Sequence, residues 1–284
     1  VVDYNNDTIG FYVNSGYPIS ETWSVNYSLG IERNDIESYG HPFEQADRFW
    51  AQYGDSGRSG EYINYKTGIT LTHNSLDRSV FPTDGNRQVF RLDASLPGSD
   101  LQFYKLTAET YHYFPFDTFH NYIFSFRGKV GYGDGYGTKN GTDQILPFFE
   151  NFYLGSSEWL RGFDHNSIGP RAIYYSNSGS YASDESVGGN AFWTGSIEFF
   201  MPAPLVSEAY KNQVRTSIFF DAGSLWDTKG GDYSVDAGEY RASAGVSLVW
   251  ISPIGPMSFS LSKAIKERDG DSTQVFNFNI GSTF

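Results

Sequence analysis

Arg161 stands alone among apolar residues in the stretch SSEWLRGF (156–163). Trp159 and Leu160 precede it, Gly162 and Phe163 follow it, and the outer flanks read as loop. A guanidinium stays charged and presents a fork of donors. Set among such neighbours, it needs carboxylates. The strands predicted just after it supply two. In 191–201 the apolar set with Trp193, Ile197 and Phe199 faces one way, which turns Glu198 the other way. In 214–226 the set Val214, Ile218, Phe220, Ala222 and Trp226 turns Asp221 to the side of Arg215 and Ser217. One acid on each of two neighbouring strands can hold a guanidinium by charge-assisted bonds. The plainer alternative is that both acids only line a wet pore. Either way the chemistry is recognition, with no covalent step.

Other reactive constellations are missing from the sequence. There is no cysteine, hence no disulfide framework, no thiol nucleophile and no Cys-based zinc site. His41, His73, His112, His120 and His165 are scattered without ligand spacing, so no metal and no cofactor is expected. GYGDGYG lacks the spacing of a dinucleotide loop and reads as flexible loop. RDGDS (268–272) resembles part of a calcium loop but lacks its later acid, and reads as a solvated turn. There is no P-loop and no G-x-S-x-G. Spacing alone does not exclude a Ser–His pair on a barrel wall, but nothing singles one out. The expectation is a protein that is not an enzyme. A formal net charge of −13 argues against nucleic acid as a partner and against a polybasic membrane anchor.

The elements that must position Arg161 are strands. The chain of 284 residues holds 21 Tyr, 24 Phe and 31 Gly, yet mean hydropathy is −0.43. Strands with one apolar and one polar face give that combination. In 122–132, Tyr122, Phe124, Phe126, Val130 and Tyr132 alternate with Ser125, Arg127 and Lys129. The same period runs through 22–32, 241–250 and 274–284. About eleven strands follow, near 7–18, 21–33, 60–77, 84–97, 100–115, 119–133, 189–202, 211–226, 239–252, 255–265 and 273–284. A short helix is expected near 43–53. The opening VVDYNNDT reads as the middle of a loop, with no signal peptide.

Long connections at 34–59, 134–188, 227–238 and 266–272 all fall on one edge of the sheet, and short turns such as FPTDG and SPIGP on the other. That asymmetry predicts an all-β, antiparallel transmembrane β-barrel, with short periplasmic turns and long extracellular loops. A jelly roll or propeller would have to bury Arg127, Lys129, Glu198, Arg215 and Asp221 between sheets; a water-filled lumen suits them better. The connection 134–188 is too long for a passive link and too apolar in its middle for disorder. It is expected to fold into the lumen, carrying Arg161 toward Glu198 and Asp221.

These residues also carry a resemblance. The segment PFFENFYLGSSEWLRGFDHNSIGPRAIY is similar to the sixth extracellular loop of the BamA family of outer-membrane assembly factors, whose Val/Leu-Arg-Gly-Phe motif stands here as Leu160, Arg161, Gly162 and Phe163. The likeness continues through FPTDG (81–85), LPGSD (96–100), VGGNA (187–191), VRTSIFFDAGSLWDT (214–228), WISPIGPMSFS (250–260) and FNFNIGSTF (276–284). It implies that the motif arginine pairs with Glu198 and Asp221. It also implies a role in folding β-barrel proteins and inserting them into the bacterial outer membrane. The last strand, with Phe276, Phe278, Ile280, Gly281 and Phe284, would be the closing side of a lateral seam, kinked at Gly281. Phe284 would be the chain's own assembly signal. Implied partners are nascent β-barrel clients, outer-membrane lipid with lipopolysaccharide, and accessory lipoproteins that bind mostly through POTRA domains.

The family barrel has sixteen strands preceded by POTRA domains, and the strands here match the sixth to the sixteenth. The expectation is therefore one partial C-terminal transmembrane barrel domain over 1–284, without POTRA domains or first strands, and not active alone. Translocation barrels of the TamA or two-partner secretion type share the arginine motif. The IGPRAIY continuation and the SPIGP turn favour the BamA family over them, and a general porin would not need a plugging loop.

Overall fold

The structure, a computed structural model, describes residues 4–39, 43–54, 58–156, 158–176, 179–204, 206–207, 210, 213–229, 239–253 and 255–280. Strict alternation drives these residues into one antiparallel sheet, because a strand separates the two residue sets at no cost. Its eleven strands are β1 (Tyr4–Pro18), β2 (Trp23–Ser38), β3 (Ser59–Asn74), β4 (Gly85–Ser95), β5 (Phe103–Pro115), β6 (Ile123–Gly135), β11 (Ala191–Pro202), β12 (Val214–Trp226), β13 (Arg241–Ser252), β14 (Gly255–Lys266) and β15 (Phe276–Ile280). Neighbours in the sheet are neighbours in the chain, with β6 beside β11. Between those two strands the long connection adds the short strands β7 (Thr138–Lys139) and β8 (Thr142–Asp143), a 3-10 turn at Phe148–Glu150, and a hairpin of β9 (Arg171–Ser176) and β10 (Gly179–Ser186). The hairpin was not expected from the sequence, which reads that stretch only as part of the long connection 134–188.

All eleven expected strands are present. The first begins at Tyr4, so VVDYNNDT is not mid-loop throughout. The second runs on to Ser38. The expected helix is α1 (Glu44–Tyr53). Among the described residues no helix is long and apolar enough to cross a membrane, and the edges β1 and β15 do not pair.

One face of the sheet is an exposed apolar band. Register places Phe199, Ile218, Val246, Leu261 and Phe276 side by side across five strands. Ile218, Val246, Leu261 and Phe276 are each about half exposed, at 51%, 49%, 54% and 51%. A ladder of that size left uncovered is what a lipid-facing wall presents.

Over β11 to β13 the other face is covered, not water-lined, whereas β1 is exposed on both faces from Asp7 to Pro18. A core of Tyr111, Leu154, Trp159, Leu160, Phe163, Ile168, Phe192 and Leu225 joins the long connection to the wall. A second core, around Phe49, Trp50, Tyr62, Phe103 and Phe148, seats α1 at the long-connection edge. Arg48 of α1 donates to the Lys229 carbonyl at 2.6 Å, and Gln52 to the Asp143 carbonyl at 2.8 Å. Three long connections thus pack on one another at the same edge.

Candidate functional site

Register sets the acceptors for Arg161. Ser196 of β11 lies directly opposite Asp221 of β12, and Glu198 is two residues further along the same face. The two carboxylates therefore sit on a diagonal that a guanidinium fork spans. Arg161 Nε and Nη2 donate to Asp221 Oδ2 and Oδ1, both at 2.8 Å. Nη1 and Nη2 reach Glu198 Oε1 and Oε2 at 3.2 and 3.3 Å, and Nη2 reaches Ser196 Oγ at 3.1 Å. The Arg161 amide adds a bond to Asp221 Oδ2 at 3.0 Å.

Second partners complete the acids. Glu198 Oε1 accepts from Ser247 at 3.1 Å and from Ser217. The guanidinium carbon lies 3.4 Å from the centre of the Phe219 ring, a cation–π contact on the same inner face. Arg161, Glu198 and Asp221 are only 3%, 2% and 0% exposed. Burial alone would lower the pKa of Arg161, but the carboxylates of Asp221 and Glu198 hold it above its ordinary value.

The backbone is bent to make this fit. Leu160 has φ 61° and Gly162 φ 94°, so the arginine is flanked by two left-handed residues. For a leucine this conformation is strained, and only its surroundings hold it there. A Cβ on Gly162 would stand 3.1 Å from Ser243 Cβ and 3.3 Å from Ser262 Oγ. The motif thus lies flat on a wall made of small serines. The Arg161 carbonyl accepts from Ser243, and Phe163 is fully buried beside it. Trp159 stacks above Arg127, 5.1 Å from its guanidinium carbon.

The long connection has two more ionic anchors. Glu150 meets Lys66 of β3 at 2.8 Å and Lys105 of β5 at 3.2 Å. Burial would raise the Glu150 pKa, yet the two ammonium groups hold it below its ordinary value. Glu150 is a lone acid in PFFENFYLG, the same signal that marks Arg161, and could have been read from it. Arg171 meets Asp271 at 2.7 Å. Asp271 belongs to RDGDS, so that stretch is not a plain solvated turn: its carboxylate is fully buried. The partners are a hundred residues apart in the chain, and spacing gives no hint of the pair. Phe219 was missed because alternation assigns no role to an aromatic on the polar face.

Phe276, Phe278 and Ile280 lie on the exposed face of β15, opposite Leu261, Phe259 and Met257 of β14. Gly281 and Phe284, the expected kink and terminal signal, lie outside the described residues. Among the described residues no group of His, Asp and Glu could hold a metal.

An antiparallel wall with an apolar outer band, its inner face closed by a loop that docks through a buried arginine, defines a plugged transmembrane β-barrel wall. Residues 2–284 match the model of the Omp85 superfamily domain, and the chain belongs to that superfamily. It is 31% identical over 309 residues to the outer membrane protein assembly factor BamA of Neisseria meningitidis serogroup B, covering 100% of this chain and 37% of that protein. It is 25% identical over 261 residues to a SAM50-like protein of Schizosaccharomyces pombe, covering 85% of this chain and 51% of the other. Among solved structures it is similar to BamA from Haemophilus ducreyi lacking POTRA domains 1–3, with TM-score 0.91 and 31% identity, over 99% of this chain and 55% of that one. The chain thus spans little more than a third of the first relative's length and about half of the other two.

Proposed function

We propose that this chain is the C-terminal barrel portion of an outer-membrane insertase, which folds β-barrel proteins and inserts them into the bacterial outer membrane. The 37% coverage of a relative named as an assembly factor fits a chain that is one portion of a longer protein. The observation that supports the reading best is the arginine loop docked on the inner face of the wall and bridged to the connection into β15. In the longer barrel, a weakly paired seam at β15 would let a client strand add by β-augmentation. The docked loop keeps the inner face filled while the edge is used.

The work is non-enzymatic: strand exchange and lipid adaptation need no nucleophile. Arg161 and its acids hold the plug. Leu160, Gly162 and Phe163 shape the turn that seats it. Phe276, Phe278 and Ile280 face lipid at the seam. The long connections point outward from the cell, and the short turns face the periplasm. Partners are client barrels, lipid with lipopolysaccharide, and accessory lipoproteins bound mostly through POTRA domains. The covered inner face weighs against a general porin.

The test uses the full-length protein in liposomes. It should accelerate folding of an unfolded barrel client, and a photoreactive side chain at position 279 should capture that client's terminal strand. Absence of both acceleration and capture, with ordinary ion conductance instead, would overturn the reading.

A further inference from the structure

The connection into the last strand is gripped by a buried ion cluster that the arginine motif does not include. Arg241 of β13 binds Asp271 with Nε to Oδ2 and Nη2 to Oδ1, both at 2.9 Å. Arg171 of β9 binds the same carboxylate with Nη2 at 2.7 Å, and its Nη1 holds the carbonyls of Ser167 and Asp184 at 2.9 and 2.7 Å. The Arg268 amide closes the turn on Oδ2 at 2.8 Å. The Arg241 side chain is 1% exposed and the Asp271 side chain 0%. One carboxylate therefore joins the long connection, the wall and the last connection.

Main-chain bonds run alongside. The Asp164 amide donates to the Ser272 carbonyl at 2.9 Å, the Gln274 amide to the Gly162 carbonyl at 3.0 Å, and Phe163 bridges Thr273. The result is visible in the register. β14 extends to Lys266, but β15 pairs only with Met257–Leu261. Ser262 takes the Val275 carbonyl, and beyond it the chain turns away from the sheet edge toward the loop.

We propose that Asp271 is a positioning residue that ties the connection into β15 to the docked arginine loop. While it clamps Arg171 and Arg241, residues 271–275 are held against the loop and β15 is kept short. Without the carboxylate, two buried cations are left facing each other, so the cluster opens. Residues 271–275 can then leave the loop while the Arg161 docking stays in place. That the edge receives clients rests on the function proposed above; the clamp itself does not.

The test is hydrogen exchange on the full-length protein in lipid, comparing wild type with Asp271→Asn, Asp271→Glu, Arg171→Gln and the Asp271→Asn/Arg171→Gln pair. Amides of 272–280 should exchange at least about tenfold faster in Asp271→Asn, because local protection follows local opening. Arg171→Gln should do the same, more mildly. Asp271→Glu should restore part of the protection, and the double variant should add little to Asp271→Asn. Protection around Glu198 and Asp221 should stay at the wild-type level. Arg171→Gln keeps the Asp271–Arg241 pair and carries the test if Asp271→Asn does not fold. Unchanged exchange at 272–280 would overturn the proposal, as would an equal rise across the whole sheet. A loosened edge with wild-type client insertion would support the clamp and count against the edge as the client's strand.

Discussion

Two ion pairs in this wall have almost the same length. Arg33 and Glu61, on β2 and β3, are 2.7 Å apart; Arg161 and Asp221 are 2.8 Å apart. The first pair is about half exposed, 52% and 48%, and the second almost wholly buried, 4% and 1%. The strands around them differ likewise. β1 is exposed on both faces from Asp7 to Pro18, while Arg215, Ser217, Phe219 and Asp221 of β12 are all buried. Alternation is equally good in both regions. The ion pairs differ in face: Arg33 and Glu61 share the exposed face with Ile31, Ile63 and Tyr65, while Asn34, Tyr62 and Asn64 of the same strands point the other way and are buried. On the inner face the long connection covers β11 to β13 and leaves β1 bare. Strand pattern thus decides which residues can face inward, and the anchors of one loop decide which of them become a site.

Breaking each region in turn should expose the difference. Asp221→Ala leaves Arg161 buried with half its acceptors and should cost about 3–5 kcal/mol in an unfolding titration of the detergent-refolded protein. Gly162→Ala puts a side chain at φ 94°, 3.1 Å from Ser243, and should cost about 1–3 kcal/mol in the same titration. Glu150→Gln removes the acid shared by Lys66 and Lys105, whose side chains keep some solvent, and should cost roughly 1 kcal/mol. Glu61→Gln, in the exposed pair, should change stability by about 0–1 kcal/mol, the floor of the series.

Acidity sharpens the comparison further. The folded-state pKa of Glu150 is depressed, so its contribution is full above the ordinary carboxylate range. It is lost as pH falls through the lowered value. On acidification the wild-type protein should therefore lose protection of residues 148–152 in hydrogen exchange, and Glu150→Gln should show a smaller pH effect there. Equal slopes in the two proteins would remove Glu150 as an anchor.

Most of the wall was legible because period two is a local property. Glu198 and Asp221 could be turned inward from Ile197, Phe199, Phe220 and Ala222 alone. Arg161 could be picked out because a cation among Trp159, Leu160 and Phe163 has to be satisfied somewhere. The β9–β10 hairpin, the Phe219 platform and the Asp271 cluster were not legible. They depend on how a folded loop meets a distant surface, and a sequence pattern records neither the meeting nor its register. Burial of the inner face was misjudged for the same reason: charged strand faces read as water-lined until the loop that covers them is in place.

Under the function proposed above, docking of Arg161 serves assembly of other barrels. Porin levels in outer membranes of cells carrying the full-length protein test it most directly, comparing wild type, Arg161→Ala, and Arg161→Glu combined with Asp221→Arg. A clear porin deficit is expected in the alanine variant and partial recovery in the charge swap, with Glu198 limiting the repair. Normal porin levels in the alanine variant, with the protein itself assembled, would contradict it.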